Sequence, residues 1–188
     1  MSWQAIETRM DKPIIKRAFS QPSAWTFKLP AVKELVERYI GDGKGWADPF
    51  AGKARYAEFT NDLDPELDTT HHLEAAEFAK QLPSELNGVL FDPPYSYRQI
   101  SEHYRHLKKK ATALDTSYNF YHRVMIELIP KIRVGGHVLS FGWNSAGFGA
   151  KHGFEVIEVL MLWHGMHRND TICTVELRTG FVQPKETT

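Results

Sequence analysis

The stretch Gly88-Val-Leu-Phe-Asp-Pro-Pro-Tyr-Ser-Tyr-Arg-Gln99 sets an apolar run directly against an acid, two prolines and a tyrosine. Gly88 and the prolines bound "GVLF" as a strand of the buried type found in parallel sheets. A strand can end at proline without an acid, and a loop turns at lower cost with glycine. Asp92 followed by Pro93 and Pro94 therefore points to a carboxylate, a backbone carbonyl and the Tyr95 ring held in one fixed relation.

On the N-terminal side of this strand, residues 1–24 read as irregular. "LPAVKELVERYIG" then places Val32, Leu35, Val36, Tyr39 and Ile40 on one helical face, with Pro30 near the start and Gly41 at the end. "GWADPFAG" reads as a short strand entering a glycine-containing loop, "YAEFTNDLD" as a second strand ending in acids, and "HHLEAAEFAKQL" as a helix. On the C-terminal side, "SYRQISEHYRHLKKK" reads as a helix ending in a basic run. Phe120, Val124, Met125, Leu128 and Ile132 recur at helical spacing, with Pro130 loosening the last turn. "GGHVLSF" is a strand after a Gly-Gly turn, and "EVIEVLMLW" and "DTICTVELR" are β-rich runs around the polar loop "HGMHRN".

Strands thus alternate with helices, and the last two strands are sequential. The expected architecture is α/β, a mostly parallel sheet with an antiparallel C-terminal hairpin at one edge. In open sheets of this kind ligands bind beyond the carboxyl ends of the strands. "DPFAG", "NDLD" and "DPPY" all fall at those ends.

The 188 residues fit one domain with a substantial core, and no linker divides them. Lys+Arg and Asp+Glu number 23 each. That balance excludes a small, purely electrostatic nucleic-acid binder and confines any such contact to a local patch. Cys173 is the only cysteine, so neither an intrachain disulfide nor a thiolate metal cluster can form, which favours a reducing cytoplasm. No apolar stretch has signal-peptide length, and none approaches the roughly 20 residues of a membrane span. His103/His106 and His164/His167 have i, i+3 spacing. They lack a cysteine or carboxylate at ligand spacing, so no metal is expected.

"DPPY" after an apolar strand, with "DPFAG" about forty residues earlier, resembles the S-adenosylmethionine-dependent DNA amino-methyltransferases. The likeness is chiefly to the adenine-N6 type, in the compact form found in phages and mobile elements. It covers roughly Phe19 to Arg178. By chance, Asp-Pro-Pro-Tyr should arise in roughly 1 in 1,000 chains of this length. The resemblance implies a single Rossmann-like methyltransferase fold over 1–188, with helices on both faces and no separate target-recognition domain. Residues 1–30 would form a cofactor lid, and 97–117 a mobile basic segment contacting substrate.

The chemistry fits the residue types. The exocyclic amino nitrogen of adenine is a poor nucleophile because its lone pair is delocalised into the ring. Two acceptors aimed at its hydrogens draw it toward tetrahedral geometry and stabilise the charge that develops on attack. Asp92 and the Pro93 carbonyl would be those acceptors, Pro94 stiffens the turn, and Tyr95 would stack on a flipped base. The resemblance places Asp48, Pro49, Phe50 and Gly52 around the methionine end of the cofactor, with Ala54 where the family often has a second glycine. Asp62 would hold the ribose hydroxyls and Leu63 the cofactor's adenine. Asp64 reads as a helix cap before Pro65. Glu74, with Ala75 beside it, occupies the place of the family's adenine-contacting aspartate. Thr26 and Phe27 would close over the methionine end, or serve with Trp25 as a hydrophobic lid on the helix.

For substrate, the resemblance implies Trp163, His164, His167 and Asn169 in the loop near the target base. Arg98, Arg105, Lys108, Lys109 and Lys110 would meet DNA phosphates, or simply complement a solvated helix end. Cytosine-N4 and RNA adenine stay open as substrates. So does a weakly active or non-catalytic nucleic-acid-binding subunit that works beside a partner or as a homodimer. Membrane association is not expected. The expected location is the cytoplasm of a bacterium or phage-infected host.

Overall fold

The computed structural model describes residues 12–21, 23, 25–94, 118–165 and 169–180. Its elements are β1 (Ile14–Phe19), α1 (Pro30–Ile40), β2 (Trp46–Asp48), β3 (Phe59–Thr60), α2 (Ala75–Gln81), β4 (Leu86–Phe91), α3 (Tyr118–Leu128), β5 (Ile132–Gly142), β6 (Phe154–Trp163) and β7 (Thr171–Arg178). One seven-stranded sheet joins the strands in the order β1-β6-β7-β5-β4-β2-β3. Every pairing is parallel except those of β7, which runs antiparallel to both β5 and β6.

Both faces are covered. On one, α1 turns Val32, Leu35, Val36 and Ile40 onto Trp46, Leu90, Leu139, Phe141 and Leu162. On the other, Phe78 and Ala79 of α2 and Val124 and Leu128 of α3 pack on Val89, Phe91 and Val138. Alternate residues of β4 thus serve opposite cores, and this is why "VLF" is apolar throughout. Fully burying each such side chain contributes about 1.5–3 kcal/mol. Gly88 has a steric reason: a Cβ there would stand 2.5 Å from the Trp46 ring and 2.6 Å from the His137 carbonyl. Pro130 falls in the short 3₁₀ turn Ile129–Lys131 that ends α3.

Several expectations change. Residues 14–19, expected irregular, form the edge strand β1, parallel to β6. All but Ala18 of that strand are exposed, so no alternation of burial marked it as a strand. The C-terminal hairpin is not at an edge, because β1 lies outside β6 and β7 is inserted beside β5. The second strand shrinks to Phe59–Thr60. Asn61 instead makes an isolated parallel bridge to His71, which keeps the residues before Ala75 out of α2. The helix expected from Ser96 to Lys110 lies outside the described residues.

Two buried acids brace the sheet. Glu158 of β6, fully buried, accepts both Arg38 guanidinium nitrogens at 2.9 Å and the Tyr39 hydroxyl at 2.8 Å, and pairs with Lys16 at 3.1 Å. These bonds, led by that from Arg38, hold its carboxyl down at about 2. Glu176 of β7 accepts the backbone N–H groups of Phe148 (2.7 Å) and Gly149 (2.8 Å), shaping the loop after β5. Gly147 lies at φ +54°, and a Cβ there would meet that carboxylate at 2.3 Å. Among the described residues, no helix is long and apolar enough to cross a membrane.

Candidate active site

The chain leaves β2 outward to β3 and later returns on the other side of β2 as β4. The strand order reverses there, which opens a crevice beyond the carboxyl ends of β2 and β4. Asp48 is the last residue of β2, and Asp92 follows the last residue of β4. Asn61 and Asp62 follow β3. At about 4.8 Å between neighbouring strands, three carboxylates share one short rim.

Burial perturbs Asp48 and Asp92. Asp48, 1% exposed, is pushed up to about 8, first by burial and then by the charges of Asp92 and Asp62, against the Phe50 N–H and Arg55. Its Oδ1 accepts the Phe50 N–H at 3.0 Å. Its Oδ2 is buried with no hydrogen-bond partner among the described residues. A buried acceptor left open costs about 1–3 kcal/mol, a cost that a cationic donor brought to it would remove. Asp92 is pushed up to about 7 by burial, opposed by a hydrogen bond from the Thr26 side chain. Burial, with the Asp92 charge adding, also raises the Cys173 thiol, so that cysteine is no thiolate nucleophile.

The loops are tied to one another through side chains. Asp62 accepts the Gly52 N–H through Oδ2 (3.1 Å) and the Asp64 N–H through Oδ1 (2.9 Å), joining the loops after β2 and β3. A carboxylate has about four lone-pair sites, so capacity remains for further donors. Asn61, buried, donates to the carbonyls of Pro49 (3.1 Å) and Leu73 (2.9 Å) and accepts the Leu73 N–H (2.9 Å). Asp64 accepts the Glu66 N–H at 3.0 Å and caps a turn rather than a helix.

The N-terminal turn Thr26–Lys28 closes against Asp92 after β4, against β5 and against the loop between β2 and β3. Besides the Thr26–Asp92 bond, Phe27 packs on Phe141 (5.2 Å between ring centres) and on Tyr56 (5.7 Å). The Trp25 ring is the nearest group to the space above Gly52, which adopts φ +52°, and the Lys53 ammonium lies 5.2 Å from that ring. Phe50 packs edge-on to Phe91 at 5.6 Å. Leu63 is half-buried, Glu74 is exposed at the cap of α2, and Ala75 is buried in the core under α2. The structure therefore brings together Thr26, Phe27, Asp48, Pro49, Phe50, Gly52, Asp62 and Asp92, while Glu74 and Ala75 begin α2.

Farther along the same rim, Trp163 ends β6 with 40% of its surface exposed. Phe19 meets it edge-on at 5.3 Å and the Arg17 guanidinium lies 5.7 Å from its ring centre. Three strand spacings separate β6 from β4, about 15 Å. His164 is engaged at both ring nitrogens, by the Ser20 carbonyl (2.9 Å) and the Thr171 hydroxyl (2.8 Å). A carbonyl only accepts, so Nδ1 carries the proton. Asn169 is exposed. Tyr95, Arg98, Arg105, Lys108, Lys109, Lys110 and His167 lie outside the described residues. Sequence reasoning missed Asn61 and Tyr121, whose hydroxyl donates to the Pro94 carbonyl. Neither carries a local signal, since both act on segments distant along the chain.

The fold is the Rossmann-like methyltransferase sandwich. TrmN from Thermus thermophilus shares it with a TM-score of 0.52 at 14% identity, over 80% of this chain and 49% of that one. The chain thus spans about half the length of TrmN. SMU.1697c, a candidate methyltransferase from Streptococcus mutans in complex with SAH, aligns at a TM-score of 0.45 and 10% identity, over 77% of this chain and 93% of that one. No family model and no curated protein matches the sequence.

If Asp62 holds ribose hydroxyls of S-adenosylmethionine, as the sequence resemblance implies, Asp62→Ala is expected to weaken that binding about tenfold to a hundredfold, the scale of losing roughly 1.5–3 kcal/mol of hydrogen bonds to a charged acceptor. Titration calorimetry checks it, and equal affinity would remove Asp62 from the cofactor site.

Proposed function

We propose that this protein transfers a methyl group from S-adenosylmethionine to the N6 amino group of adenine in DNA. The observation that carries the reading is the pair of perturbed carboxyls at the β2/β4 crevice, Asp48 with an open buried oxygen and Asp92 at the head of Asp-Pro-Pro. The donor set suits the cofactor. The open Oδ2 of Asp48 fits the α-ammonium group, the remaining lone pairs of Asp62 fit ribose hydroxyls, and Gly52 admits a ligand close to the backbone. When bound, the cofactor supplies a methyl group on a sulfonium, so no side chain has to act as a nucleophile.

The protein's own contribution is to the amino group. Ionised Asp92 accepts one of its hydrogens and the Pro93 carbonyl the other, which localises the lone pair on nitrogen. Thr26 holds the Asp92 carboxylate and favours its charged form. The Asp92 carboxylate is also the group placed to take the proton released after transfer. Nucleic acid is supported as substrate by the Phe19–Trp163–Arg17 corner. Exposed aromatics beside cations are the usual platform for unstacked bases. The basic run Lys108–Lys110 is proposed to reach the flanking phosphates.

The test is mass spectrometry of nucleosides from DNA and RNA incubated with the purified chain and labelled cofactor. N6-methyladenine in DNA is the expected product. N4-methylcytosine, or label in RNA alone, would reassign the substrate. Absence of label from both would leave a non-catalytic subunit.

A further inference from the structure

The Asp92–Pro94 turn is held from outside the motif. At one end the sheet fixes it, since Phe91 pairs with Ser140 of β5. At the other, the Tyr121 hydroxyl donates to the Pro94 carbonyl. Tyr121 lies in the first turns of α3, half-buried, with its ring edge-on to Phe120 at 5.5 Å. Phe120 in turn lies 6.5 Å from Phe50, in the loop that follows Asp48. Burial pushes the Tyr121 phenol up, so it stays a donor throughout the working pH range.

The covalent geometry shows what this bond controls. The ring of each proline fixes φ, and Pro94 also restricts the ψ of Pro93 to extended values. The ψ of Pro94 is the one soft torsion left in the pair, and the Pro94 carbonyl turns with it. We propose that Tyr121 is a positioning residue for methyl transfer: by holding that carbonyl it anchors the second end of the turn, so that Asp92 and the Pro93 carbonyl lie between two fixed points. Preorganisation of this kind acts on the transition state, because displacing acceptors by about 1 Å can cost on the order of a hundredfold in rate. The inference rests on the acceptor roles proposed above.

Tyr121→Phe removes the hydroxyl and keeps the ring. Its kcat for methyl transfer is expected to fall about tenfold to a hundredfold. The dissociation constant for S-adenosylmethionine should stay within about twofold, and the melting temperature should drop by no more than about 4 °C, the scale of one hydrogen bond in a chain of this size. Phe120→Leu, which disturbs the packing and spares the hydroxyl, should do the reverse: a larger thermal shift and a smaller change in kcat. Unchanged kcat in Tyr121→Phe would overturn the proposal. So would a loss of kcat that merely tracks losses in cofactor affinity and melting temperature. A wild-type chain that transfers no methyl group to nucleic acid would overturn the acceptor roles themselves, and Tyr121 with them.

Discussion

Asp92→Ala is expected to reduce methyl transfer at least about a hundredfold while leaving S-adenosylmethionine affinity within a few-fold. Removing one preorganised contact to charge that develops in the transition state typically costs that much. The carboxyl follows the end of β4, where burial pushes it up to about 7 and the Thr26 hydrogen bond opposes the rise. Acceptance of an amino hydrogen needs the ionised form. In the chain without ligand that form grows as pH rises through about 7, so kcat/KM should climb over the same interval and then level off. Single-turnover assays across pH, with calorimetry of cofactor binding alongside, check both halves. A variant that kept most of its turnover would strip Asp92 of its acceptor role.

The second large effect concerns Asp48. Asp48→Asn should weaken cofactor binding about thirtyfold or more, since removing one member of a buried charge pair commonly costs 2–5 kcal/mol. The same change should stabilise the ligand-free protein at pH 8. The folded-state value of about 8 lies above the ordinary 3.8. Between those two values the folded state therefore binds more protons than the unfolded one. Stability from this group is greatest at low pH, declines as pH rises from about 4, and is spent by about 8. A cationic ligand favours the ionised carboxylate, so binding below pH 8 should release protons, and affinity should rise with pH up to that point. Calorimetry in two buffers of different ionisation enthalpy measures the release directly. Proton uptake on binding, or equal affinity in the variant, would contradict the assignment of Asp48 to the ammonium group.

Much of this was legible locally. The continuous apolar run before Asp92 marked a strand covered on both faces, and β4 does serve both cores. The i, i+3, i+4 spacing of Val32, Leu35, Val36 and Ile40 marked α1, and all four are buried. Strand-end motifs at Asp48, Asp62 and Asp92 marked one rim, because parallel strands bring their carboxyl ends to the same side. Such features depend on periodicity and backbone restriction, which act over a few residues.

Other features depend on partners far away in the chain, and no short window carries them. β1 is a strand because β6, more than 140 residues on, offers it a free edge; its own side chains remain largely exposed, so no alternation betrayed it. Glu158 lies in the β-rich run "EVIEVLMLW", where nothing local marks it as buried, yet it is fully buried with Lys16, Arg38 and Tyr39 converging on it from β1 and α1. The elevated carboxyl of Asp48 arises from exclusion of water by the packed sheet and from acids on the neighbouring strand ends. Thr26 on Asp92 and Tyr121 on Pro94 are likewise contacts between residues far apart in the chain. Residue types and short-range spacing are enough to nominate the acids. Their charge state and aim are set by desolvation and by hydrogen bonds that exist only once the sheet has closed around them.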